Sequence, residues 1–316
     1  MIIEPCQNLL RKNLRELVQN DYILLDLPYF ANVGDVLIWQ SALDLLAELP
    51  FKCLYSSSIE SYRKPKIGEN VVILFMGGGN FGDLWIRHQH FRQRVLTDFP
   101  RNPIVQLPQS VCFKEQDFLI KDIDAFAQHG GLVTICLREE KSYNFIKANY
   151  RNVEVRLMPD MVLGFDVKKY VGLKFSSLGG KLFVVRNDIE KSESDLESLV
   201  PKDAVHRDWP TLEKKPTYIV VYLFLQRVLN RVDMLCSTHL CRYVADFCFK
   251  KLFKKRIIAS GINFINQYDE VYSTRLHAAI LAVLLDKTVV AFDNSYGKIN
   301  GVYNLWMKEL KTIKMM

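Results

Sequence analysis

The chain has 316 residues, 49% of them hydrophobic, with 42 Lys and Arg against 35 Asp and Glu and a formal net charge of +7. That length exceeds one comfortable core and predicts two domains, and the composition excludes a disordered chain. The excess charge favours anionic ligands or an anionic membrane surface. There is no basic stripe interleaved with aromatics, so nucleic acid is not an expected partner.

Residues 1–7 carry Glu4 and no basic region, so no signal peptide is expected. The longest apolar run, Tyr218 to Leu225, falls far short of the roughly 20 residues of a membrane span. Seven cysteines, an odd number and several in apolar surroundings, predict free and mostly buried thiols in a reducing compartment. A cytoplasmic location follows as the expectation, peripheral at the inner face of the membrane if the basic charge serves a lipid surface.

Pro5 to Asn20 places Leu9, Leu10, Leu14, Leu17 and Val18 on one helical face. Tyr22 to Leu27 reads as a buried strand. The turn Ala31 to Asp35 then leads into a helix containing Val36, Leu37, Leu43, Leu45 and Leu46. Val71 to Met76 is a strand, followed by a glycine loop, Gly77 to Asp83, that opens a helix. Ile104 to Leu107 is a strand ending at Pro108-Gln109-Ser110. Leu132 to Leu137 ends at Arg138-Glu139-Glu140, and Val153 to Met158 at Pro159-Asp160. Strand, polar loop and helix in repetition predict an α/β fold with a parallel sheet covered on both faces. Ligands of such sheets bind outside the carboxyl ends of the strands, where each of these polar clusters falls.

Lys168 to Gly180 breaks the rhythm and sets the expected boundary, giving domains 1–172 and 173–316. The second begins with a strand, Lys181 to Val185, leading to Arg186, and then a polar stretch, Glu190 to Asp203. Tyr218 to Asn230 and Leu240 to Phe253 read as helices. Glu270 to Ser273 is a strand, Thr274 to Leu285 a helix, Thr288 to Phe292 a strand, and a last helix starts near Val302. That last helix is expected to pack back on the first domain.

Gly77, Gly79 and Gly82 satisfy the G-x-G-x-x-G pattern of dinucleotide sites. The next strand ends in Pro-Gln-Ser rather than an acidic ribose ligand, which argues against NAD. No Lys follows Gly82, which excludes Walker A. What remains is a close backbone approach and a helix N-terminus offering N–H groups to an anion or hydroxyl, with a tight turn lacking any ligand as the plainer reading. Asp83 and Asp35 are each either helix caps or carboxylates able to orient a sugar hydroxyl. Arg275 and His277, just past a strand, combine a guanidinium fork for carboxylate or phosphate with an imidazole able to move a proton. Arg186 follows a buried strand and gives a second cation. Arg138 with Glu139 and Glu140 is either a third cation or a surface ion-pair group. Cys236-x2-His239-x-Cys241 with Cys248 matches no standard zinc spacing, so no metal is expected. Tyr218 to Asn230 with Lys250, Lys251, Lys254, Lys255 and Arg256 is either a core helix beside a solvated charge run or an apolar and basic surface for a membrane.

Taken together, Asn32-x-Gly34-Asp35, Gly77-Gly78-Gly79-Asn80-Phe81-Gly82-Asp83-Leu84-Trp85, Leu107-Pro108-Gln109-Ser110, Arg138-Glu139, Arg186-x-Asp188-x-Glu190 and Thr274-Arg275-Leu276-His277-Ala278 resemble, in that order, the polysaccharide pyruvyl transferase family, from about residue 25 to about residue 305. The resemblance implies two Rossmann-like domains facing across a cleft, as in GT-B glycosyltransferases. It implies an enzyme that moves a pyruvyl group from phosphoenolpyruvate to a sugar of a polysaccharide, exopolysaccharide or capsule, or of its lipid-linked precursor. The product is a cyclic ketal and phosphate is released. No cofactor is implied beyond the donor, and the acceptor is galactose- or mannose-type, free or polyprenyl-linked.

The family's motifs then give catalytic roles to His277, Asp83 and Arg275. Arg186, Arg138, Gly78, Gly79, Asn80, Asp35, Gln109, Ser110 and Leu276 become substrate-binding candidates. The acceptor side belongs to the first domain and the donor side to the second. Arg275 and Arg186 are expected on opposite walls of the cleft, clamping the carboxylate and phosphate. His277 and Asp83 serve as acid and base, in either order. The rivals are a glycosyltransferase of the same architecture with a nucleotide-sugar donor, and a non-catalytic carbohydrate-binding module. Residues 193–255 match nothing in the family pattern.

Overall fold

The structure is a computed structural model that describes residues 3–170, 179–186, 197–236, 240–293 and 297–316. The expected boundary at 172/173, residues Asp188 and Glu190 of the Arg186 motif, and His239 of the cysteine cluster lie outside the described residues. Contacts divide the chain into two compact units, Met1–Leu27 with Ile38–Gly164, and Pro28–Leu37 with Phe165–Met316. The Asn32–Asp35 turn is thus counted with the second unit.

In chain order the first part comprises α1 (Glu4–Leu17), β1 (Tyr22–Leu25), α2 (Val33–Leu46), β2 (Cys53–Ser57), β3 (Val72–Phe75), β4 (Gly78–Gly82), α3 (Ile86–Asp98), β5 (Ile104–Cys112), α4 (Gln116–Ala127), β6 (Val133–Leu137), α5 (Glu140–Asn149) and β7 (Val153–Leu157). The strands form one sheet in the order β2-β1-β3-β5-β6-β7, with β4 added beside the end of β5. All pairings are parallel. Strands β1, β3 and β6 are buried at every position. Their unbroken apolar runs suit a sheet covered on both faces, where alternation has no use. Ile23, Leu25, Ile73, Phe75, Phe91 and Val95 sit in the core on one side.

Two expectations change here. The glycine segment is a strand rather than a loop opening a helix, and α3 begins only at Ile86. Strand β5 does not end at Pro108 but runs through Gln109 and Ser110 to Cys112, because β4 pairs with its second half. The glycines make that pairing sterically feasible. A Cβ at Gly77 would stand 2.6 Å from the Pro108 carbonyl oxygen, and Gly82, at φ 113°, presses still closer on that of Cys112.

The later part comprises β8 (Lys181–Val184), β9 (Val205–Arg207), α6 (Pro210–Glu213), α7 (Thr217–Cys236), α8 (Leu240–Phe247), α9 (Lys254–Asn266), β10 (Glu270–Ser273), α10 (Leu276–Leu284), β11 (Thr288–Ala291), α11 (Lys298–Val302) and β12 (Ile313–Met315). The sheet order is β12-β11-β10-β8-β9, all parallel. Helix α10 is apolar all round except for His277 and is correspondingly buried. The chain does not close on a helix. After α11 and a wider turn through Met307, β12 adds an edge strand beside β11.

Helix α7 is not a core helix, since Val221, Phe224 and Leu235 on it are exposed. No cysteine is in a disulfide, but only Cys6, Cys136 and Cys241 are buried, while Cys53 and Cys236 are exposed. Among the described residues no group of His, Cys, Asp and Glu is arranged to hold a metal, and no helix is long and apolar enough to cross a membrane.

Candidate active site

Each sheet has one place where the chain, having built outward on one side of its first strand, returns to build on the other. In the first sheet this point lies between β1 and β3, and in the second between β8 and β10. The crevice outside the carboxyl ends of such a strand pair is where open α/β sheets bind ligands. Both points are occupied by buried polar clusters.

In the second unit, β8 and β10 pair in register with Val184 opposite Ser273, so Arg186 and Arg275 emerge from neighbouring strand ends. Thr274 staples them: its N–H donates to the Val184 carbonyl at 3.0 Å, and its Oγ1 accepts the Arg186 N–H at 2.8 Å. Arg275 is the extended residue just before α10, and Ser273 Oγ accepts its N–H at 3.0 Å. Its guanidinium makes a buried fork with Asp208, which follows β9; Nε meets one oxygen, and Nη2 the other at 2.7 Å.

His277 enters at the first turn of α10 and rests against the Asn32–Asp35 turn. The Gly34 N–H donates to Asn32 Oδ1 at 3.0 Å. A Cβ at Gly34 would stand 3.0 Å from both Cβ and Cγ of His277 and nearer still to Nδ1. That is why glycine occupies this position. Beyond β11, Asp293 accepts the Ile299 N–H at 3.1 Å, and the adjacent Lys298 is buried. Among the described residues, Arg186, Arg275, Lys298, His277, Asp208 and Asp293 therefore lie along one edge of the second sheet.

In the first unit, Asp26 directly follows β1 in a left-handed conformation, φ 65°, that is uncommon for a residue with a side chain. Its Oδ1 lies 2.8 Å from His88 Nδ1. With the proton on Nδ1 donated to Asp26, Nε2 keeps its lone pair, the arrangement of a general base held by a carboxylate. Asn80 lies 3.0 Å from the same imidazole nitrogen. Asn80 Oδ1 accepts from Arg92 Nη2 at 2.6 Å and from Gln109 Nε2 at 2.8 Å.

Arg92 is fully buried. It donates to Gln106 at 2.7 Å and lies over the rings of Phe81 and Phe75. Burial pushes its pKa down, and the nearby Asp26 and Asp122 carboxylates oppose the shift.

The remaining predicted residues are placed as follows. Gly78 and Gly79 lie in β4, and Gln109 faces Asn80, donating also to the Met76 carbonyl at 3.2 Å. Ser110 bridges Arg138 and Glu139, at 2.9 Å to each. Arg138 is buried and reaches Asp160 at 2.5 Å, so it is no surface ion pair. Asp83 accepts the N–H groups of Lys114 and Glu115, at 2.7 and 2.6 Å, and so holds the turn that leads into α4. Asp35 lies in the first turn of α2, and Leu276 is buried in α10.

Arg275 and Arg186 are not on opposite walls. They are strand-end neighbours in one sheet. Sequence reasoning missed Asp26, His88, Asp208 and Lys298. Asp26 carries a readable signal, the first polar residue after a buried strand, but the apolar Leu27 beyond it makes the strand read as running on.

Two parallel sheets, each with a buried polar cluster at its switch point, define an α/β protein of the kind that places ligands at strand ends. The sequence matches the family described as polysaccharide pyruvyl transferase over residues 32–296. It is 28% identical over 302 residues to the putative pyruvyl transferase EpsO of Bacillus subtilis (strain 168), covering 94% of this chain and 89% of that one. It is 27% identical over 295 residues to pyruvyl transferase 1 of Schizosaccharomyces pombe, covering 90% and 69%. A crystal structure of a functionally uncharacterized protein from Klebsiella pneumoniae subsp. pneumoniae NTUH-K2044 shares the fold, with a TM-score of 0.64, 20% identity and 98% of each chain covered. The chain belongs to the polysaccharide pyruvyl transferase family, and with it to the transferases.

Proposed function

We propose that the protein transfers the pyruvyl group of phosphoenolpyruvate to two hydroxyls of one sugar in a polysaccharide or its lipid-linked precursor. The observation that carries this is the convergence of Arg186, Arg275 and His277 at the switch point of the second sheet. Phosphoenolpyruvate presents a carboxylate and a phosphate, and guanidinium groups match both. Arg186 and Arg275 are assigned to these anions, with Asp208 orienting the Arg275 fork and Lys298 on the same edge. His277 gives a proton to the methylene carbon, making it a methyl group and leaving the central carbon electron-poor. A sugar hydroxyl adds to that carbon and loses its proton to a base.

His88, oriented by Asp26, keeps a ring nitrogen with a lone pair, whereas the oxygens of Asp83 already hold main-chain N–H groups. A second hydroxyl of the same sugar then takes the place of phosphate on the central carbon, closing the cyclic ketal. Its proton leaves with the base or the departing phosphate.

Thermal stabilisation tests the donor. Phosphoenolpyruvate should raise the melting midpoint by a few degrees at saturation, UDP and GDP should not, and Arg186→Ala should abolish the shift. Stabilisation by UDP or GDP alone would point instead to a nucleotide-sugar glycosyltransferase.

A further inference from the structure

Helix α7 inverts the pattern of an ordinary surface helix. Ile219, Tyr222 and Asp233 face inward, while Val220, Val221, Phe224, Val228 and Leu235 are exposed. At roughly 100° per residue, those five exposed positions fall within about 100° of one another. Arg227 borders that arc, and Arg231 lies just inside the same side of it. Phe224 is 69% exposed and Leu235 81%. On α8, which packs against α7, Leu240, Tyr243 and Phe247 are likewise exposed and share one face. Scattered apolar side chains on a surface are ordinary, but a contiguous patch of this kind marks an interaction surface.

Most of the chain's excess charge falls in the same stretch of sequence. Residues 217–256 hold eight basic side chains and two acidic ones, so they account for six of the seven excess charges. Both acids are engaged. Asp233 accepts the N–H groups of Leu240 and Cys241 at 2.8 and 2.9 Å. Asp246 accepts from the Tyr29 hydroxyl at 2.7 Å and from Lys250 at 2.8 Å.

We infer that this face of α7 and α8 docks on an anionic lipid bilayer. A membrane surface supplies an apolar phase for Phe224 and Leu235 together with negative headgroups for the flanking cations. A second copy of this chain would offer the apolar area but would bring like charges together. Helix α7 is about 30 Å long, yet Arg227, Arg231 and Asp233 interrupt it and it does not qualify as a span. It therefore lies in the plane of the interface. The inference rests on this surface alone and not on the donor chemistry. It deepens the functional reading by bringing the enzyme to lipid-linked acceptors.

Flotation of the full chain with vesicles tests it. The protein should float with phosphatidylcholine vesicles containing phosphatidylglycerol, float poorly with phosphatidylcholine alone, and be released by salt. Replacing both exposed side chains, Phe224→Ser with Leu235→Ser, should lower partitioning by about a hundredfold without changing turnover of a short water-soluble acceptor. Arg227→Gln and Arg231→Gln should each cost about fivefold, on anionic vesicles only. Equal binding to both vesicle types, or unchanged binding by the Phe224→Ser, Leu235→Ser variant, would overturn the inference. So would a wild-type dimer that ignores vesicles and that the same variant converts to monomer in light scattering. Loss of activity on the soluble acceptor in the wild type would instead count against the functional reading and leave the membrane result standing.

Discussion

Gly34→Ala isolates the position of His277. The glycine has no special backbone requirement, since its φ is not among the positive ones, and alanine favours the first turn of a helix. The whole effect therefore comes from one methyl group. That methyl would lie 3.0 Å from Cβ and Cγ of His277 and closer to Nδ1. Ordinary contacts begin near 3.5 Å, so Cβ and Cγ must retreat by about 0.5 Å and the nearer Nδ1 by about 1 Å. Turning the ring cannot achieve this, because Cβ itself is crowded. A misplacement of that size costs about a hundredfold in rate.

The expected result is a kcat about a hundredfold lower in phosphate release from phosphoenolpyruvate, with a melting midpoint within a few degrees of wild type. In a His277→Ala background the same substitution should do nothing further, because the group it displaces is gone. Wild-type activity for Gly34→Ala, or an equal loss in both backgrounds, would refute the assignment of His277.

Two further outcomes follow from the structure. Asp208→Ala removes the carboxylate that receives both Nε and Nη2 of the buried Arg275 guanidinium, which should cost about 3 kcal/mol. The melting midpoint should drop by about ten degrees, and an unmoved midpoint would show the pair to be idle. At alkaline pH, burial holds the Tyr22 hydroxyl and the Cys136 thiol at about 12. Burial also raises Tyr29 and Tyr62, with Asp246 and Asp98 adding to the effect. The same groups ionise near 9 to 10 in the unfolded chain, which therefore loses protons first. Stability should be full below about pH 9 and fall as pH rises toward about 12. Melting curves taken from about pH 8 to about pH 11 should show it, and a flat midpoint would contradict the burial of these groups.

The alternation of apolar runs and polar loops made the parallel sheets legible in the sequence, because strands buried on both faces need unbroken Val, Ile and Leu. The edge strands β9 and β12 were not legible. Each is three residues long, and β9 is exposed throughout, so neither carries an apolar run. The glycine segment was misread for a physical reason. Glycines that permit a turn and glycines that permit two backbones to touch look identical in sequence, and only the pairing of β4 with β5 distinguishes them. Arg275 and His277 were legible because a cation and an imidazole directly follow a strand. Their surroundings were not. Asp208 lies 67 residues from Arg275, and the partner that fixes His277 is a glycine 243 positions earlier. Contacts over such separations have no local sequence signal.

The two clusters differ in charge, and the difference supports a division of labour. In the first unit Asp26, Arg92, Asn80, Gln106, Gln109 and His88 satisfy one another in a network whose single buried cation faces the carboxylate of Asp26 at 3.5 Å. Such a site has hydrogen-bond donors, acceptors and a base for a neutral sugar, but no surplus charge for an anion. On the edge of the second sheet Arg186, Arg275 and Lys298 stand with only Asp208 and Asp293 among the described carboxylates there. A donor with a carboxylate and a phosphate suits the guanidinium groups of that edge. Reversing the assignment would place two anionic groups beside the buried carboxylate of Asp26, which is electrostatically uphill.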